Sequence, residues 1–143
     1  MSGNLADFRY DYSDSFEARL AATSELTSEQ WARAVFEQAP RPVRWLLVSG
    51  FRFGLGLRLS RRPSLDHVLG WEIVERQPDT ITVASRSWFL TARLVFAIEG
   101  SRGSQSTFVR YDRRSAALIW PPVAIVHRQI VPRLVRRAAA RAN

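Results

Sequence analysis

Between Trp88 and Ile98 the apolar side chains fall on every second residue. Trp88, Leu90, Ala92, Leu94, Phe96 and Ile98 share one parity, and Phe89, Thr91, Arg93, Val95, Ala97 and Glu99 share the other. A helix cannot place such a set on one side, whereas a long antiparallel strand places it against a core. Flanking segments extend the same sheet. Trp71 to Arg76 alternates briefly, Gln77-Pro78-Asp79 reads as a turn, and Thr80 to Ser85 is rich in β-branched residues. Gly100 to Ser104 reads as a polar loop, and Gln105 to Tyr111 as a further strand of mixed alternation. Earlier, Phe16, Ala18 and Leu20 alternate with Glu17 and Arg19, which predicts a short strand over Asp14 to Ala22.

A sheet with one apolar face needs a cover, and helices are its usual source. Thr27 followed by Gln30 forms a capping box, with Leu26 and Trp31 placed as a hydrophobic staple. Trp31, Val35 and Phe36 then make an apolar stripe, and Pro40 and Pro42 end the helix near Ala39. A second helix is predicted from Val43 to about Phe53, softened by Gly50, Gly54 and Gly56, before a basic loop over residues 58–66.

The last segment, IWPPVAIVHRQIVPRLVRRAAARAN, reads as a long basic amphipathic helix. Ile119, Val123, Val126, His127, Ile130, Val131, Leu134 and Ala138 fall within a sector of about 140°, which Trp120 joins. Arg128, Arg133 and Arg136 lie outside it. Arg137 and Arg141 return to the apolar side, so the packed part is expected to end near Val135. Pro121 and Pro122 suit a helix beginning, or else divide two helices, and Pro132 predicts a bend.

The 143 residues suit one core, so the chain is expected to be a single domain over 1–143. There is no cysteine, and His67 and His127 are the only histidines. Disulfide and thiolate chemistry are excluded, and neither a metal site nor a cofactor is expected. The opening MSGNLADFRYDYSD has no export pattern, and no stretch approaches the roughly 18 apolar residues of a membrane span. A cytoplasmic location is the resulting expectation. All 21 basic residues are arginine, which weakens arguments from arginine abundance. Their distribution says more: residues 40–70 carry net +5 and residues 110–143 net +7, against −4 over residues 1–39.

The order strand, two helices, antiparallel strands and long C-terminal helix resembles the START-like superfamily, also called SRPBCC or the polyketide-cyclase and Bet v 1 type. Within it, the chain looks like an uncharacterised bacterial family. The resemblance is carried by SFEARL, WLLVSGFRFGLGL (45–57), GWEIVER, and TFVRYDRR followed by IWPPVAIVHRQIVPRLVRRA. It implies an α+β helix-grip fold: a curved antiparallel sheet packed around the C-terminal helix, with an apolar ligand between them. Residues 71–111 hold four predicted strands where that fold has six after its paired helices. The sheet is therefore either reduced or counted short.

The same resemblance implies pocket walls from Trp88, Trp120, Tyr111, Arg110, Val123 and Ile130. His127, inside the apolar sector, is the candidate for chemistry: an imidazole there could bond a ligand carbonyl or move a proton. The plainer reading is a buried structural histidine bonded to a carboxylate or a backbone carbonyl. Arg110 could face either way, and Asp112 could pair with it. Three functions stay open. One is non-catalytic binding of a small lipid or polycyclic molecule. Another is a cyclase or hydratase using His127. The third is a basic module contacting an anionic membrane through Arg61, Arg62, Arg136, Arg137 and Arg141. Nucleic acid is disfavoured because no recognition motif accompanies the arginines. A homodimer through an exposed strand edge has no positive signal.

Overall fold

The computed structural model describes residues 8–20, 25–60 and 65–142. Six strands form one antiparallel sheet: β1 (Tyr12–Arg19), β2 (His67–Val68), β3 (Trp71–Arg76), β4 (Thr80–Arg86), β5 (Leu90–Glu99) and β6 (Arg102–Tyr111). Their order is β1-β6-β5-β4-β3-β2, so β1 and the two-residue β2 are the edges and the sheet does not close into a barrel. The sheet curves around a long C-terminal helix, a helix-grip-like α+β arrangement.

The inner face follows the alternation. Leu90, Ala92, Leu94 and Phe96 of β5 are buried with Ile81 and Val83 of β4, Trp71 of β3 and Val109 of β6. Helix α1 (Ser28–Phe36) lays Trp31, Ala32, Val35 and Phe36 on this face. Its start is the expected capping box: the Thr27 hydroxyl accepts from Gln30 N–H at 3.2 Å, and the Gln30 side chain accepts from Thr27 N–H at 2.9 Å.

Strand β1 begins at Tyr12, two residues before the expected start, and ends at Arg19. Two further strand limits differ from expectation for a local reason. Trp88 does not begin β5. The Ser87 hydroxyl accepts from the N–H groups of Phe89 and Leu90, and Ser87 N–H donates to the Leu90 carbonyl. That turn throws Trp88 outward, 63% exposed, and buries Phe89. Strand β6 starts at Arg102, three residues before the predicted start, because the loop is only Gly100-Ser101, with Gly100 at φ +60°. The polar look of RGSQST conceals an inner face of Gly103, Gln105 and Thr107, all buried.

Helix α2 (Arg41–Ser49) continues into a π-helical turn, Gly50–Gly54. Leu47 is its only buried residue, and its closest backbone neighbours lie in that turn.

Helix α3 (Ala116–Ala142) is continuous through Pro121, Pro122 and Pro132. Neither expected role of the first two prolines holds: they stand past the first turn, and they do not divide the helix. The missing N–H groups leave the carbonyls of Ala117, Leu118 and Arg128 without their intrahelical donor. All three residues are exposed, so water can serve those carbonyls. The packed part also reaches further than Val135. Ala138 and Ala139 are buried, and Arg137 donates to the Gln38 carbonyl at 2.6 Å. Small side chains let this end of α3 lie close to α1. Among the described residues, no helix is long and apolar enough to cross a membrane.

Candidate functional site

Where α3 crosses β1 and β6, a polar cluster interrupts the apolar interior. Asp14 lies opposite Thr107 in the β1–β6 ladder, so both side chains rise from the same face of the sheet. His127 comes down on them from α3. Its Nε2 lies 3.2 Å from Asp14 Oδ2 and 3.1 Å from the Thr107 hydroxyl. The Tyr12 hydroxyl donates to Asp14 Oδ2 at 2.5 Å, and Gln105 Nε2 donates to the Thr107 hydroxyl at 2.9 Å. Rings surround the imidazole, Trp120 at 5.7 Å and Phe16 at 6.4 Å between centroids. Both Asp14 and His127 are nearly buried, each with 11% of its side chain exposed. Asp14 Oδ1, Gln105 Oε1 and Trp120 Nε1 are buried with no hydrogen-bond partner.

Burial alone would raise the Asp14 carboxyl. The hydrogen bond and charge of His127, with hydrogen bonds from Tyr12 and Thr107, outweigh it and hold the group below its ordinary range. Tyr12 moves the other way. Burial first, then its bond to Asp14 and the charge of that carboxylate, raise its hydroxyl far above the usual range and keep it protonated. An ionised Asp14 therefore faces a committed donor in Tyr12 and a proton on His127 Nε2. In neutral His127 the basic lone pair is then on Nδ1.

His127 also borders a second space. A cleft of about 130 Å³ opens between α3 and the α2–π segment. Leu46, Leu47, Gly50, Phe51 and Leu55 line one side; Trp120, Val123, Val126, His127, Ile130 and Val131 line the other. Every lining side chain but His127 is apolar or, in Trp120, aromatic. The imidazole thus joins an apolar cleft to the Asp14 cluster.

Four of the residues singled out from sequence, Trp120, Val123, Ile130 and His127, meet at this cleft. Three do not. Trp88 sits at its exposed turn. Arg110 points to the outer face of the sheet, where it pairs with Asp112 at 2.8 Å and stacks 5.2 Å from the Phe8 ring. Tyr111 ends β6 half-buried against the core, its N–H donating to Asp11 at 2.7 Å. Arg136 and Arg141 are exposed, Arg137 is held by Gln38, and Arg61 and Arg62 lie outside the described residues.

Tyr12, Asp14, Gln105 and Thr107 were missed, although one signal pointed to them. Counting back by two from Phe16 puts Asp14 and Tyr12 on the inward parity of β1. A carboxylate on that parity requires a buried donor. Among the described residues no three His, Asp or Glu side chains come together to hold a metal. No family model matches the chain, and no curated protein matches it at a significant level.

Proposed function

We propose that the chain binds a small apolar molecule in the cleft between α2 and α3, with Nδ1 of His127 accepting from a hydroxyl at the ligand's polar end. The observation that carries this reading is the cleft's composition: one oriented imidazole in an otherwise apolar lining. A space of this size suits a single ring or the end of an acyl chain, since an apolar cavity of about 150 Å³ accommodates benzene. A longer lipid or a polycyclic molecule requires α2 to move aside, and α2 is anchored by buried Leu47, half-buried Val43 and the bond from Arg44 to the Glu37 carbonyl.

Val123→Trp fills the cleft without adding charge. It is expected to abolish saturable binding of 1-octanol, measured by calorimetry, while leaving the far-ultraviolet circular dichroism unchanged. Equal affinity in the filled variant would place binding elsewhere.

The Asp14–His127 pair favours a second reading, a cyclase or hydratase in which His127 acts as base and Asp14 orients it. Under it, His127→Gln loses about 10²–10⁴-fold in turnover while still binding ligand. Under the binding reading, Asp14 and Thr107 only hold the imidazole in place.

A further inference from the structure

Outside the cleft, α3 carries an apolar stripe that no other described residue covers. Leu118, Pro122 and Ile125 recur at helical spacing along its solvent side. Leu118 is 81% exposed, Ile125 and Val126 about half, and Val126 turns from the stripe to the rim of the cleft. Across that rim, α2 presents Leu46, and beside it Trp45 at 72% exposure. Leu46 and Val126 line the cleft, and the exposed Trp45, Leu118, Pro122 and Ile125 continue from them along the two helices as an apolar apron.

The two segments that carry these side chains hold charge of a single sign. Residues 40–60 contain Arg41, Arg44, Arg52 and Arg58 and no acid; residues 113–142 contain seven arginines and no acid. Further along the exposed side of α3 stand Arg128, Arg133 and Arg136. Apolar side chains with an exposed tryptophan, on segments whose charges are all cationic, complement a surface that is apolar within and anionic at its face. The prolines set the depth. Ala117 and Leu118 have carbonyls that need outside donors, which are present among headgroups and absent from the hydrocarbon.

We propose that the Trp45–Leu46 end of α2 and the Leu118–Val126 half of α3 dock the protein on an anionic bilayer at headgroup level, with the cleft mouth against the lipid. This moves the contact from the arginine-rich end of α3 to its apolar beginning, leaving the arginines the role of attraction. The docking stands on exposure and charge, and it does not require the cleft to hold a ligand.

Sedimentation with vesicles tests it. The full chain should bind phosphatidylcholine vesicles containing 30 mol% phosphatidylglycerol at least tenfold better than pure phosphatidylcholine, and weaken in 0.5 M salt. Trp45→Glu with Ile125→Glu, both at exposed positions, should reduce binding at least tenfold with circular dichroism unchanged. Val123→Trp should bind vesicles normally, which separates this surface from the ligand proposal. Undiminished binding by the double variant, or loss only when Arg136, Arg137 and Arg141 are neutralised, would overturn the apron. So would equal affinity for the two vesicle types. A concentration-dependent dimer that Trp45→Glu dissociates, with no vesicle binding, would assign the surface to a second copy of the chain instead.

Discussion

Replacing Trp31 with alanine is expected to lower the unfolding free energy by about 3–5 kcal/mol. The side chain is fully buried between α1 and the sheet, and its indole N–H donates to the Ser104 carbonyl at 2.9 Å. It lies on a glycine for a steric reason. A Cβ at Gly103 would come 2.6 Å from Trp31 Cζ2, too close for a ring that has nowhere to turn. Gly103→Ala alone should therefore cost about 1–3 kcal/mol through overpacking. In the Trp31→Ala background the same substitution meets open space, so its cost should fall to a few tenths of a kcal/mol or reverse. Urea denaturation of the four proteins measures this coupling. Additive costs would show that Gly103 is required for something other than the ring.

Asp14→Ala should cost about 1.5–3 kcal/mol at neutral pH, the range for hydrogen bonds to a charged group. It leaves the Tyr12 and Thr107 hydroxyls and His127 without their common acceptor. The pH dependence carries a definite sign. Asp14 ionises more readily in the fold than in the unfolded chain, where its value is about 3.8. Between the two values the unfolded chain binds more protons, so stability rises with pH there. Its contribution is complete above the unfolded value and is lost as pH falls through the lowered folded value. The stability difference between wild type and Asp14→Ala should accordingly shrink as acid is added below about pH 4. A difference constant from pH 6 to pH 2.5 would show that the carboxylate is not favoured by its neighbours.

The parts of the fold legible in the sequence are those where one physical effect acts alone. The capping box at Thr27 is local, and the alternation through β5 reflects a face that is apolar throughout, so both were readable. Trp88 was misplaced because the Ser87 turn delays the start of β5 to Leu90, two residues after the apolar parity begins. β6 was clipped because its inward residues are glycine, glutamine and threonine, chosen to admit Trp31 and to serve His127. The same substitution of polar for apolar on inward positions hid Asp14. His127 was visible because it interrupts an apolar helical sector. Its acceptor was not, since the pairing of β1 with β6 joins segments with no sequence pattern in common. The far wall of the cleft, on α2, was equally hidden, because nothing local to Leu46 or Phe51 says which element they face.

That pairing also dictates an order of events during synthesis. Ser15 and Ser106 are 91 residues apart and face each other in the β1–β6 ladder. At ribosomal rates of about 5–20 residues per second, β1 waits several seconds for its only partner strand. The hairpins from β3 to β6 can assemble in sequence as they emerge. The earliest strand has its partner only once β6 is made, and helix α3 is made later still. Asp14 and His127 come from those two late pieces, so their contact forms at closure and not before. A nascent chain lacking either piece presents a partial sheet without the imidazole's anchor. Such a chain lacks the Asp14–His127 contact, and an assay that reads this contact reports that β1 and α3 have both docked.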